Sequence, residues 1–217
     1  MKKNSKILVA LLLISTIASV AILAQKGTGD EAISQGQVME AVQTFAKLVN
    51  DQNAQSFGLQ NADQLKSLKA GNQVKKYMIG LDDVKKYTPG QDVQTIMKEL
   101  PVVEVALTDA NGGVITSIEF TKQKDNWQAT GFGSSPEIKS LFSDRAMVAD
   151  SLISGGKLVV IPALHSNFLA VNNGGGLNFL VLEQNDNLGF RQGAMIPASE
   201  AMTKLLTAAN EYNGLPQ

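Results

Sequence analysis

His165 is the only histidine of the chain, so any acid–base or nucleophilic mechanism that needs an imidazole must use it. The hydrophobic pattern places it in a strand between Leu164 and Ser166, which is typical of a partly buried histidine bonded to the backbone. A serine hydrolase of the common α/β type also needs a Gly-x-Ser-x-Gly elbow, and the sequence contains none. We therefore predict a structural His165 and no catalytic residue.

Metal-ligating residue types are scarce. One histidine and no cysteine rule out the usual structural zinc sites. The stretch from Asp109 to Gly112 resembles the start of a calcium loop, but it lacks the spaced acids and closing glutamate of an EF-hand, so it predicts a hairpin turn. Asp82 and Asp83 predict a helix start, and Asp144 has no partner that sequence spacing can identify. We predict no metal site.

Two glycine-rich stretches could bind an anion through free backbone amides. Residues 131–136 hold Pro136 at the third glycine position of a dinucleotide motif, and no parallel βαβ pattern surrounds them. Residues 172–176 lack the Lys-Ser/Thr of a phosphate loop. Helix capping and turn geometry account for both stretches, and we predict no cofactor.

Aromatic residues are few, and most fall on predicted strand faces, which indicates a core rather than a carbohydrate platform. If the sheet instead curls around an apolar ligand cavity, four residues are the candidates to line it. They are Trp127, His165, Phe168 and Phe179.

The first 24 residues form an export signal. Lys2, Lys3 and Lys6 precede an uncharged apolar run over residues 7–24, and small residues suited to cleavage stand at its end. The run is also at the lower limit of the roughly 17–25 residues that span a bilayer, so an uncleaved anchor is the alternative. We predict a periplasmic or secreted protein or, if residues 7–24 stay attached, an inner-membrane protein facing the periplasm.

The remaining chain has the composition of a globular domain. Three of the 19 basic residues lie in the signal, which leaves 16 basic residues against 20 acidic ones. An acidic chain of this kind does not suit a phosphate backbone, so nucleic acid is not an expected partner. The full chain has 44% hydrophobic residues and no cysteine, so the exported domain is expected to fold around a core without disulfides.

The spacing of apolar residues predicts an α+β fold in which a helix precedes antiparallel meanders. A flexible spacer over 25–36 leads to a helix over 37–50, within a mainly helical region over 37–97 that also holds a strand near 74–79. Residues 98–217 form the α+β region. Matching turns and helix starts, at Ser134 with a capping box and after Pro197, suggest two similar β-β-β-α units over 100–148 and 157–213.

The order of several short motifs resembles uncharacterised exported bacterial proteins of small α+β type. These motifs are Lys76-Tyr77, Leu81-Asp82-Asp83, Tyr87-Thr88-Pro89-Gly90, Trp127, Gly133-Ser134, Ile161-Pro162-Ala163-Leu164, Phe168-Leu169, Leu188-Gly189 and Ile196-Pro197-Ala198. The resemblance covers about residues 38–217 and implies no activity that can be transferred. The order of a long helix and a meander is also similar to cystatin-like and NTF2-like domains, a likeness that does not fix function.

Three functions fit these observations, in decreasing order of preference. The first is a non-catalytic exported protein of the bacterial cell envelope that binds a protein partner through an exposed sheet face or edge. The second is a small-ligand-binding pocket protein. The third is a hydrolase that uses carboxylates or His165, which requires a pocket that brings His165 close to a serine and an acid.

Overall fold

The computed structural model describes residues 32–124, 126–133, 155–212 and 214. Their strands form one eight-stranded mixed sheet with helices packed on it, which confirms the α+β class. In chain order the strands are β1 (Lys69–Met78), β2 (Lys98–Thr108), β3 (Val114–Gln123), β4 (Asn126–Phe132), β5 (Lys157–Ile161), β6 (Ser166–Asn172), β7 (Leu177–Val181) and β8 (Met195–Pro197). In space their order is β4-β3-β2-β1-β5-β6-β7-β8.

A parallel strand pair at the centre of the sheet joins two antiparallel meanders. Lys75 to Met78 of β1 pair in parallel with Lys157 to Val160 of β5, whereas the other neighbouring strands are antiparallel. The region boundary predicted between residues 97 and 98 falls between β1 and β2, which pair directly with each other. One sheet therefore crosses that boundary.

The region over 37–97, predicted to be mainly helical, contains the ten-residue strand β1. The sequence pattern predicts only its second half, over 74–79, and it predicts that Gly71 ends a helix. In the structure Gly71 lies inside β1, next to one of two irregularities in the pairing with β2. These irregularities interrupt the two-residue alternation that identifies a strand in a sequence.

Three α-helices are described: α1 (Gln35–Ala46), α2 (Leu81–Lys85) and α3 (Ala198–Glu211). Helix α1 begins before the predicted residue 37 because Ser34 and Gln37 form a capping box. The Gln37 amide donates to Ser34 Oγ at 3.3 Å, and the Ser34 amide donates to Gln37 Oε1 at 3.0 Å. Ile33 is already buried, so the spacer predicted to reach residue 36 ends before it.

Short 3₁₀ helices connect the larger elements. They are Ala54–Phe57, Ala62–Ser67, Val93–Ile96, Pro162–Leu164 and Asp186–Leu188. The second of them confirms the short helix that the sequence predicts around Leu65.

Helices α1 and α3 pack on the same face of the sheet. The register places Val103, Lys75 and Lys157 side by side on that face. On the α1 side of it, Phe45 packs with strand residues such as Val105 in one apolar cluster. On the α3 side, Leu205 packs with strand residues of the second meander in another cluster. Apolar residues of the opposite face are also buried: Val74, Ala106, Leu158, Leu169, Val171, Leu180 and Leu182.

The predicted hairpin turn after β2 is confirmed. Asp109 Oδ1 accepts hydrogen bonds from the amides of Asn111 at 2.9 Å and Gly113 at 2.7 Å, as an aspartate does at the start of a turn. The export signal predicted over 1–24 and the capped helix predicted from Ser134 lie outside the described residues. The two predicted β-β-β-α units can therefore be compared only through their strands. In the second unit a helix follows Pro197, as predicted. Among the described residues, no helix combines the length and apolarity needed to span a bilayer.

Candidate functional site

Phe168 and Phe179, two of the predicted ligand-pocket residues, lie inside the core beneath α3. Their rings stack with centroids 4.9 Å apart, and the ring of Phe190 meets Phe168 edge-on at 5.3 Å. Neither Phe168 nor Phe179 is exposed to solvent. The two side chains therefore stabilise the packing of α3 on the sheet and do not face a cavity open to solvent.

Trp127 belongs to the other end of the sheet. It is half-buried on β4, where it packs against the α1 cluster, and the Lys122 ammonium lies 5.9 Å from its ring centroid. Four strands separate β4 from β6 in the sheet order. The structure therefore brings Phe168 and Phe179 together but places Trp127 far from both.

His165 does not lie within a strand, as the sequence pattern predicts. Strand β5 ends at Ile161, and Pro162 begins a 3₁₀ turn that His165 ends in a left-handed conformation, with φ 43° and ψ 50°. The side chain is exposed rather than partly buried. Proline cannot donate to a strand ladder, and this is the sequence signal that a break comes before His165.

His165 lines an open pocket of about 360 Å³. Strands β5 and β7 run in the same direction, because each is antiparallel to β6, and the pocket lies beyond their carboxyl ends. The lining residues are Ala163, Leu164, His165, Glu183, Gln184, Asn185, Asp186, Asn187, Leu188 and Ala208.

Asn185 holds the two walls of the pocket together. Its Nδ2 donates to the carbonyl oxygen of Leu164 at 3.2 Å and to that of His165 at 3.4 Å, while its Oδ1 accepts from the Leu188 amide at 3.3 Å. Its backbone pairs with Phe190 through two hydrogen bonds of 2.9 Å. The sequence predicts only a turn at this asparagine. Its side chain bonds to residues that lie 20 or 21 positions earlier in the chain, and a local sequence pattern does not reveal such contacts.

The pocket brings no serine hydroxyl beside His165. Ser166, which follows His165, is buried, and its hydroxyl donates to the Leu164 carbonyl at 2.9 Å. None of the ten lining residues is a serine. In the described part of the chain no three histidine, cysteine, aspartate or glutamate side chains lie together as metal ligands would.

A cluster of charged groups lies where β1 meets β2 and β5. The Lys75 ammonium lies 3.0 Å from Glu99 Oε1, and the Tyr77 hydroxyl donates to Glu99 Oε2 at 2.8 Å. The Lys157 ammonium lies 5.0 Å from the Tyr77 ring centroid. Burial and the hydrogen bond to Glu99 raise the pKa of Tyr77 to about 12. Burial alone would raise the pKa of Glu99, but the hydrogen bonds from Lys75 and Tyr77 outweigh it and lower that pKa.

The two edges of the sheet differ. Strand β8 is three residues long and ends in Pro197, so that edge offers few backbone groups. Strand β4 is seven residues long and contains no charged residue and no proline. No strand among residues 32–124, 126–133 and 155–212 pairs with its outer side. Three consecutive residues near its middle, Gln128, Ala129 and Thr130, are exposed.

No protein-family model, curated protein or solved structure matches this chain.

Proposed function

We propose that this chain is a non-catalytic, exported protein of the bacterial cell envelope that binds an extended segment of a partner protein along β4. The observation that supports this most directly is the outer edge of β4, which no strand of the described residues covers. Natural edge strands usually carry charges, prolines or very short lengths that prevent pairing with another chain. Strand β8 has two of these features. Strand β4 has none of the three, and its only such feature is a β-bulge at Thr130.

The form of β4 defines how a partner would bind. In the pairing with β3, Phe120 lies opposite Ala129 and Glu119 lies opposite Gly131, so Thr130 is an extra residue in a β-bulge. The bulge leaves Asn126 to Ala129 as the regular part of the edge. A partner strand would therefore form its main-chain hydrogen bonds there, as in other complexes formed by strand addition.

The side chains around this segment define the chemistry of the partner. Trp127 is half-buried on the helix face, so an apolar side chain of an added strand would pack beside it. Lys124, in the turn just before β4, is exposed. We therefore expect an extended segment with an apolar residue beside Trp127 and an acidic residue within reach of Lys124.

Site-specific photo-crosslinking in intact cells tests this proposal. A photoreactive residue at Asn126, at the end of the edge, is compared with one at Thr203, an exposed position on α3. We expect an adduct with another protein from position 126 that position 203 does not give. The crosslinked segment, identified by mass spectrometry and synthesised as a peptide, should bind the purified chain.

Proline substitutions show whether the edge itself is responsible. Backbone N–H groups alternate between the two sides of a strand, so only one of Gln128 and Ala129 directs its N–H away from β3. Of Gln128→Pro and Ala129→Pro, the variant that keeps the stability of the parent should lose both the adduct and peptide binding. An adduct only with a second copy, an adduct that persists in that variant, or no adduct at position 126 would each overturn the proposal.

A further inference from the structure

We infer that the pocket lined by His165 and Asp186 is a separate binding site for a small organic cation, an alkylammonium group. The site lies at the opposite half of the sheet from β4, so the inference does not depend on the proposed function. The volume of about 360 Å³ lies within the range of roughly 300–1,000 Å³ that is usual for small-molecule sites.

The pocket is formed in advance of binding. Asn185 links the loop after β7 to the turn after β5 through both of its side-chain atoms, and its backbone pairs with Phe190. His165 is held in a left-handed conformation, with φ 43°, that non-glycine residues seldom adopt. A ligand would therefore bind without ordering the walls, which reduces the entropic cost of association.

The charge of the lining selects a cation. Glu183 and Asp186 contribute two carboxylates, and the ten lining residues include no lysine and no arginine. Lys204, one helical turn before Ala208 on α3, lies 3.3 Å from Glu200 in an ion pair. A carboxylate or phosphate ligand would meet two like charges, whereas an ammonium group would meet two opposite ones.

Each carboxylate has a neutral hydrogen-bond donor that holds it in place. Asn167 Nδ2 donates to Glu183 Oε2 at 3.0 Å, and Gln184 Nε2 donates to Asp186 Oδ1 at 2.8 Å. Amide donors orient a carboxylate without neutralising it, so the negative charge remains available to a ligand. The apolar side chains of Leu164 and Leu188 then provide contacts for the alkyl part of the cation.

NMR titration of the full-length chain with n-butylammonium tests the inference, with n-butanol as the neutral isostere and butyrate as the anion. We expect saturable amide shifts at Asn185 and Leu188 with the cation and a dissociation constant of about 1 mM, since both carboxylates are exposed to solvent. Glu183→Gln and Asp186→Asn should each weaken binding about fivefold. The control Glu40→Gln, an exposed residue of α1 on the other half of the sheet, should leave binding unchanged, and the dispersion of each spectrum shows that the variant is folded.

Three results would overturn the inference. They are shifts that rise linearly with added cation or that sodium chloride reproduces, binding of butyrate as tight as that of the amine, and unchanged affinity in both pocket variants. The proline variant of β4 that loses its partner should keep amine binding, so failure of one proposal is distinguishable from failure of the other.

Discussion

The side chain of Thr116 gives a sharp prediction about stability. Thr116 lies on β3, fully buried, and its hydroxyl has no hydrogen-bond partner in the part of the chain that the structure describes. A buried hydroxyl without a partner costs roughly 1–3 kcal/mol of desolvation. Thr116→Val keeps the shape of the side chain and replaces the hydroxyl with a methyl group, which gains about 0.8 kcal/mol on burial. We therefore expect the variant to be more stable by at least about 1 kcal/mol.

Urea unfolding monitored by circular dichroism measures the effect, and Thr121→Val is the matched control. Thr121 lies on the same strand, but its hydroxyl lies 2.8 Å from that of Thr130 and it is only partly buried. We expect the control to be neutral or to lose up to about 1 kcal/mol with its hydrogen bond. For a chain of this size, 1 kcal/mol also corresponds to a shift of roughly 2–4 °C in the midpoint of thermal unfolding.

A loss of stability in Thr116→Val would refute this reasoning. It would mean that the hydroxyl makes a hydrogen bond in solution, for example to a buried water molecule, whose removal leaves its partner unsatisfied. Equal changes in Thr116→Val and Thr121→Val would also refute it, because they would report the strand propensity of valine and not the unpaired hydroxyl.

Three further predictions concern packing, backbone conformation and titration. Phe45→Ala, in the α1 core, should lower the free energy of unfolding by about 3–5 kcal/mol, while Leu48→Ala, 63% exposed in the parent, should change it by less than about 0.5 kcal/mol. Gly58→Ala should destabilise by more than Gly90→Ala in urea unfolding. Both glycines have positive φ, but only at Gly58 would an added Cβ lie 2.8 Å from a carbonyl oxygen. Equal losses of stability in the two variants would show that this contact relaxes freely. The pKa of Tyr77, raised to about 12, means that its stabilising contribution is complete below pH 10 and lost as the pH rises from 10 to 12. Ultraviolet titration should show a late-titrating phenol signal that Tyr77→Phe reduces, and an unchanged signal in the variant would contradict the assignment.

Local features of this fold could be predicted from the sequence. The turn at Asp109 needs only an aspartate and two following amides, and its hydrogen bonds span at most four residues. The amphipathic pattern of α1 and the proline before α3 also act within a few residues. Such elements follow from local propensity and periodicity, which a single sequence contains.

Features that depend on distant parts of the chain could not be predicted. The parallel pairing of β1 with β5 joins residues 82 positions apart, Lys75 and Lys157, and leaves no periodic signal in either segment. The same holds for the candidate sites. The sequence pattern predicts a strand that includes most of β4, but that β4 forms an edge follows only from the order of all eight strands. The pocket around His165 depends on contacts of Asn185 with a turn about 20 residues earlier.

The central parallel pair has a consequence for how the chain reaches its native state. Strand β1 pairs with β2, which follows after residues 79–97, but the other side of β1 can pair only after β5 has been synthesised. During synthesis the first meander is therefore made before β5, with one side of β1 unpaired, and contacts between segments this far apart form slowly. A strand side without a partner can pair with another chain and so promotes aggregation. We expect the fragment over residues 32–133 to be prone to aggregation, and the addition of the second meander in trans to suppress it.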